Sequence, residues 1–246
     1  MCVSEKLPLW AQHKVVCHIF NVAAELGGEA RIVGGAVRDW KAGKVVKDID
    51  MAVNVPIELI ADKMRKSQYT KVVNTGLTHG TVTVIEGGQS VELTQTRSDI
   101  ATNGRHALVK FENDWAKDAG RRDFTVNALY LDDQGQIFDP FGGQADLVQR
   151  QLRFVGRASD RVQEDALRML RYCRFCIDYS DGQFDQEAIA ALRDFASLAA
   201  DLSGERIAQE LRKILSNENC LSAILLFHET GLDKASLGIG IDVTTF

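Results

Sequence analysis

The sequence predicts an α+β protein in two consecutive parts: an N-terminal part mixing helices with a sheet, and an all-helical part after it. Three observations carry this. Up to about residue 140, helical stretches alternate with β-branched ones, and beyond about residue 155 the β signal fades. No repeat or low-complexity tract breaks the 246 residues, which hold only three prolines.

The first helix is expected over Leu9–Leu26, where Val15, Val16, Ile19, Phe20 and Ala23 recur at helical spacing. Arg31–Val33 reads as a strand, followed by a Gly34–Gly35 turn and a short helix. Asp48–Val53 is the next strand and Ile57–Ser67 the next helix. Gly80–Glu86 and Ser90–Thr96 alternate Val, Thr, Ile and Leu around Gly87–Gly88, which is the pattern of a hairpin. In the second part, helices are expected over Ser159–Ile177, Gln186–Ala200, Gly204–Leu215 and Cys220–Glu229. The boundary falls near 140–155, giving domains 1–145, 146–232 and a C-terminal extension over 233–246.

Composition narrows the function classes. Apolar residues make up 45% and charged ones 26%, as in ordinary globular proteins. No run approaches the ~20 apolar residues of a membrane-spanning helix, and the N-terminus lacks a secretory signal's order of charge and apolarity. The odd, sparse set Cys2, Cys17, Cys173, Cys176 and Cys220 points to a reducing, cytoplasmic setting. Cys173-x-x-Cys176 has neither a second ligand pair nor a redox context, and reads as two buried hydrophobes. The formal net charge of −5 argues against a generic nucleic-acid binder. Locally, though, Arg97–Arg122 carries six Lys/Arg against four Asp/Glu.

The most informative stretch is Arg31-Ile-Val-Gly-Gly-Ala-Val-Arg-Asp39 followed by Asp48-Ile-Asp50. On a strand, Asp48 and Asp50 share a face about 7 Å apart while Ile49 points to the core. Paired carboxylates make a poor core and a good site for Mg²⁺, which commonly bridges one or two carboxylates to substrate phosphates. The two glycines, Gly35 in particular, allow backbone N–H groups to approach a phosphate, and Arg38 lies within reach of a triphosphate. Asp39 reads as structural, pairing near Arg38. Glu92, on the neighbouring strand, is either a third acidic group or a solvent-facing one.

These residues resemble the signature of the class II template-independent nucleotidyltransferases, the CCA-adding tRNA nucleotidyltransferases and bacterial poly(A) polymerases. Three further blocks follow in the family's order: Arg121-Arg-Asp-Phe-Thr-Val-Asn-Ala-Leu129, Glu164-Asp-Ala-Leu-Arg-Met-Leu-Arg171, and Gly204-Glu-Arg-Ile-Ala-Gln-Glu-Leu-Arg-Lys-Ile-Leu215. Together they span residues 31 to about 215. The resemblance implies a nucleotidyltransferase head with a mixed or antiparallel sheet and flanking helices, then an all-helical neck, with body and tail regions largely absent. It also implies addition of C, C and A to tRNA 3′ ends from CTP and ATP. In such a reaction the 3′-hydroxyl attacks an α-phosphate in line, and charge develops on entering and leaving oxygens, which suits metal ions held by Asp48 and Asp50.

Further residues take roles from the same resemblance. Arg122 contacts the incoming nucleotide; the plainer alternative is an ion pair with Asp118 or Asp123. Asp165 and Arg168, three apart on a helix, form a protein template. A carboxylate only accepts hydrogen bonds and a guanidinium only donates them. Cytosine and adenine each present an amine beside a ring acceptor, and uracil and guanine present the reverse. Such a pair therefore rewards C and A and leaves polar groups unmatched against U and G. Arg171 and Arg174 continue at three-residue steps toward phosphates. The stretch from Thr96 to Lys117, with Arg97, Arg105, His106 and Lys110, is expected as a polar loop that helps switch between C and A.

The alternative readings are a poly(A) polymerase, an enzyme adding only A or only CC, and a silent RNA-binding relative. Neither membrane nor DNA is expected as a partner, and self-association is left open.

Overall fold

The computed structural model describes residues 6–76, 80–103, 106–111 and 113–243; within these, the side chains of 98–103 and 106–110 are not included. Arg105 lies outside the described residues, as do the side chains of His106 and Lys110. The chain divides into two compact units. The first comprises Met1–Ile100, Leu108–Arg122 and Val126–Gln144; the second comprises Ala101–Ala107, Asp123–Thr125 and Ala145–Phe246.

In chain order the first unit opens with a 3-10 turn at Leu9–Ala11, then α1 (Lys14–Glu25), β1 (Ala30–Val33), α2 (Gly35–Lys41), β2 (Ile49–Val53) and α3 (Ile57–Arg65). The strands β3 (Thr70–Gly76), β4 (Thr81–Glu86) and β5 (Gln89–Gln95) follow. β6 (Arg97–Asn103) and β7 (His106–Phe111) come next, then α4 (Trp115–Gly120), β8 (Tyr130–Leu131) and β9 (Ile137–Phe138). Seven strands form one sheet in the order β3-β4-β5-β2-β1-β8-β9, while β6 and β7 form a separate two-stranded sheet. The large sheet is mixed. Every pairing given for it is antiparallel except β2 with β5, which runs parallel because α3, β3 and β4 intervene between them.

The core of this unit lies between the sheet and its helices. Ile49, Met51, Val91 and Leu93 are buried, as are Val15, Val16, Ile19 and Ala23 of α1 and Ile57, Ile60, Ala61 and Met64 of α3. The alternation along β2 and β5 leaves Asp50 and Glu92 exposed between buried neighbours.

Sequence and structure differ at several elements for local reasons. The first helix is interrupted, because His13 is extended (φ −70°, ψ 143°) and α1 starts only at Lys14. The stretch expected as a loop after Thr96 forms β6, β7 and α4 instead; α4 is capped by Asp114, whose carboxylate accepts the N–H of Ala116 at 2.9 Å.

The second unit is dominated by helices: α5 (Gly143–Val148), α6 (Ala158–Glu164), α7 (Leu167–Tyr179), α8 (Gln186–Asp194), a 3-10 stretch Ala196–Asp201, α9 (Gly204–Leu215), α10 (Cys220–Glu229) and α11 (Leu232–Leu237). α7 packs against α9 and α10, and α6 against α8. Phe124, Phe154, Tyr172 and Phe175 form an aromatic cluster in its core, with ring centroids 5.0–6.0 Å apart. Cys173 and Cys176 are buried on α7, and burial pushes both thiols up in pKa. No helix among the described residues is long and apolar enough to cross a membrane.

The single helix expected over Ser159–Ile177 is in fact two. Asp165 is extended (φ −153°, ψ 106°), which ends α6. Its carboxylate then accepts the N–H of Leu167 at 3.1 Å, and its carbonyl accepts the N–H of Arg168 at 3.0 Å, which starts α7.

Candidate active site

The register of the sheet builds the first half of the site. Val33, just before the glycine turn, lies opposite Asp50, and on the other side Asp50 lies opposite Glu92 in the parallel pair. Asp48 stands outside the strand, which begins at Ile49, so the two aspartates are not both strand residues as the spacing suggested. Crowding of the Asp50 carboxylate by surrounding protein, together with the charges of Glu92 and Asp48, pushes its pKa up, and Arg122 pulls the other way. Glu92 thus belongs with the aspartates. Its signal in the sequence was present but two-sided, because alternation alone places it on a face without saying which strand runs beside it.

Arg122 is fixed from below. Its Nε donates to the Tyr130 hydroxyl at 2.7 Å, and that hydroxyl donates to Asp118 Oδ2 at 2.7 Å. Asp118 is fully buried and also binds Arg121 at 2.9 Å. Burial would raise the Asp118 pKa, but Arg121 and Arg122 outweigh it and hold the carboxyl below its ordinary value. Of the two alternatives for Arg122, Asp118 is the partner found, at 3.4 Å. Asp118 and Tyr130 were not singled out from the sequence. The detectable sign was an acid three and four residues before a double arginine.

The glycine turn sits against this network. Gly34 has φ +66° and ψ −121°, open to glycine alone, and a Cβ there would come within 3.0 Å of Arg122 Nη1. Gly35 begins α2. Arg38 is tied down at three atoms: Nε and Nη2 reach Asp39 Oδ1 at 2.9 and 2.8 Å, and Nη1 donates to Asn127 Oδ1 at 2.5 Å. It therefore joins α2 to the segment before β8.

Among the described residues, no three His, Cys, Asp or Glu side chains converge into a ready-made metal cage. A divalent ion nonetheless fits the donor set. Burial first, and then the charges of Glu92 and Asp48, raise the Asp50 pKa, and Mg²⁺ needs only one or two carboxylates when waters and phosphates complete its shell.

The second unit holds the other charged cluster. Asp165 and Arg168, the residues expected to read a base, are each engaged by other side chains. Arg206 Nη2 takes the Asp165 carboxylate at 3.1 and 2.8 Å, while Arg168 Nη1 donates to Glu164 Oε2 at 2.6 Å and to the Arg161 carbonyl at 3.1 Å. Arg206, in the Gly204–Leu215 block, was the missed partner. Arg171 binds Asp123 at 2.6 Å, and Arg174 binds the buried Glu210 at 2.6 Å. Both are held by carboxylates of their own unit. For Arg171, burial is outweighed by Asp123 and the pKa is raised; Arg174 and Lys213 likewise outweigh the burial of Glu210 and lower its pKa.

Residues 30–153 match the poly(A) polymerase head domain, and residues 183–237 match a probable RNA and SrmB binding site of polymerase A. The chain is 42% identical over 206 residues to the mitochondrial CCA tRNA nucleotidyltransferase 1 of Danio rerio, covering 83% of this chain and 48% of that protein. It is 39% identical over 218 residues to the CCA-adding enzyme of Geobacillus thermodenitrificans, covering 87% and 52%. The crystal structure of the Bacillus stearothermophilus CCA-adding enzyme with CTP superposes with a TM-score of 0.78 at 35% identity, over 87% of this chain and 51% of that one. The chain thus spans about half the length of these relatives. A head-domain match over half of its residues, carrying the aspartate strand, the glycine turn and the double arginine, places the chain in the class II nucleotidyltransferase family of CCA-adding enzymes and poly(A) polymerases.

Proposed function

We propose that this chain adds nucleotides to RNA 3′ ends without a nucleic-acid template, and specifically C, C and A to tRNA from CTP and ATP. The observation that carries this reading is the facing of Asp50 and Glu92 across the parallel pair, beside Asp48 and Arg122. Three carboxylates with one guanidinium near them form a centre short of positive charge, which a metal ion and a triphosphate together complete. Asp48 and Asp50 would hold Mg²⁺, which supplies charge neutralisation at the entering and leaving oxygens.

The remaining work falls to the chain's own side chains. Arg122, immobilised by Tyr130 and Asp118, offers a fixed positive charge to the triphosphate at no cost of reorganisation. Gly34 keeps the backbone close to that guanidinium, and Arg38 holds the glycine turn in place through Asp39 and Asn127. In the helical unit, Asp165 accepts from the exocyclic amine of C or A and Arg168 donates to the adjacent ring nitrogen. Arg206 sets the orientation of the Asp165 carboxylate. Domain roles follow: residues 1–145 carry the chemistry and 146–232 the base reading. A reducing compartment such as the cytoplasm suits the buried thiols of Cys173 and Cys176.

The test is an incorporation assay with Mg²⁺ and tRNAs ending before, within and one residue short of CCA, supplied with CTP and ATP singly and together. Ordered C, C, A addition and arrest are expected. Long A tails would move the reading to a poly(A) polymerase, and no incorporation into any substrate would sink both.

A further inference from the structure

A centre made of three carboxylates repels the RNA it must extend, so some surface has to compensate close by. The segment leading into it has the composition to do so. From Arg38 to Lys47 the sequence places Arg38, Lys41, Lys44 and Lys47 three residues apart, against the single acid Asp39, within a chain of net charge −5. Asp39 is already taken by Arg38. Lys41 and Lys47 are exposed, and no carboxylate partners either among the described residues.

We infer that the exposed segment Lys41–Lys47 is an RNA-backbone contact, seating phosphates of the strand whose 3′ end is being extended. The inference rests on the reading above, in that it takes an RNA 3′ end to approach Asp48 and Asp50. Lys47 adjoins Asp48, and three residues of chain can place its Cα at most about 11 Å from that of Asp50. Phosphates seated there are the ones nearest the reacting end. The segment also resembles a nucleic-acid surface in its apolar part. The Lys41 ammonium lies 5.4 Å from the centre of the Trp40 ring, and Trp40 stands against Trp10 with centroids 6.0 Å apart. Both rings are partly exposed, and Val45 is 81% exposed between the lysines. Cations interleaved with aromatic edges suit a strand of phosphates and unpaired bases. A protein partner would be expected to meet fewer lysines, which are depleted at interface cores.

The experiment compares the wild-type chain with K41Q/K47Q and the charge-reversed K41E/K47E. Binding of a fluorescently labelled tRNA lacking its 3′ terminal nucleotides is read by anisotropy across a salt series, with circular dichroism as the control for folding. Removing two phosphate contacts should weaken binding about five- to tenfold near physiological salt and flatten the slope of log affinity against log salt by about 1.4–1.8. K41E/K47E should weaken binding further. In turnover, KM for the RNA should rise while KM for the nucleotide and kcat at saturating RNA stay put. Affinity and salt slope unchanged in both folded variants would overturn the inference and return the segment to a protein partner or a plain solvated surface; so would an absence of RNA binding by the wild type. The binding arm needs no turnover, so failure of the nucleotidyltransferase reading, seen as binding without incorporation, is distinguishable from failure of this one.

Discussion

The two units treat charge in opposite ways. In the first, Asp50 lies opposite Glu92, and burial together with the charges of Glu92 and Asp48 raises its pKa against the pull of Arg122. In the second, each conspicuous charge has an opposite: Asp165 with Arg206, Glu164 with Arg168, Asp123 with Arg171 and Glu210 with Arg174. The first arrangement is incomplete without a cation. The second is complete in itself, and a rigid lattice of ion pairs is what a fixed pattern of donors and acceptors needs. The difference separates a site that gathers ions from a surface that reads shape.

The sharpest way to break that contrast is at Asp50. Asp50→Ala should lower nucleotide incorporation by several kcal/mol of barrier, about 10³-fold or more, while raising the thermal midpoint of the metal-free protein by relieving repulsion from Glu92 and Asp48. Retained incorporation, or a lowered midpoint, would show that the carboxylates are not the frustrated centre. Next in size is Asp118→Ala. Removing a buried carboxylate from two guanidinium groups and a tyrosine should destabilise the fold by about 3–5 kcal/mol, measured by urea unfolding.

The pH dependence separates the same groups. The carboxyls of Asp118 and Glu210 are depressed in the folded state, so their contribution is present above their unfolded values of 3.8 and 4.5 and is lost as pH falls through the folded ones. Asp50 has the opposite sign. Its folded pKa is raised, so its charge costs stability at neutral pH and acidification relieves that cost. A urea titration from pH 7 to 3 should therefore show the wild type and Asp50→Ala converging in stability before acid unfolding. Parallel curves would refute the assignment.

In the helical unit the expected effects are smaller. Asp165→Ala and Arg206→Gln should each reduce discrimination of CTP and ATP over UTP and GTP by about 10–100-fold. Arg206→Gln should act through orientation alone, so Arg206→Lys should restore part of the selectivity, and full selectivity in all three would remove the template role. The smallest change is a stabilising one. Ala166 has φ −57°, and Asp165 before it is extended, which are the conformations a proline and its predecessor require. Ala166→Pro should add about 0.4–1 kcal/mol, and a loss of that size would show the Asp165 break to be softer than the structure draws it.

Much of this was legible in the sequence where local pattern decides. Helix α9 and helix α10 occur over the residues their periodicity predicts, and the β4–β5 hairpin follows its glycines. The aspartate motif was legible as chemistry. What local pattern did not reach depends on tertiary partners. β3 has an exposed, irregular face with a register shift after Val73, so it carries no clean alternation. The break at Asp165 depends on a side chain capping the next helix, which overrides a run of good helix formers. The pairing of Asp165 with Arg206 depends on a helix forty residues later in the chain. Spacing within one element can say that two side chains are neighbours, but not which partners they find elsewhere in the chain.

The parallel pairing of β2 with β5 also bears on how the molecule acquires its structure. Asp50 and Glu92 meet only after α3, β3 and β4 have been laid down between them, so their contact is long in sequence and is made against a loop-closure cost that adjacent hairpins avoid. At that moment two carboxylates are pressed together by the backbone ladder with little to offset them. Zipping of this pair should therefore be a slow step of refolding, and one that ionic strength accelerates. The negative charge that serves the chemistry in the finished protein is a barrier the chain must cross to make it.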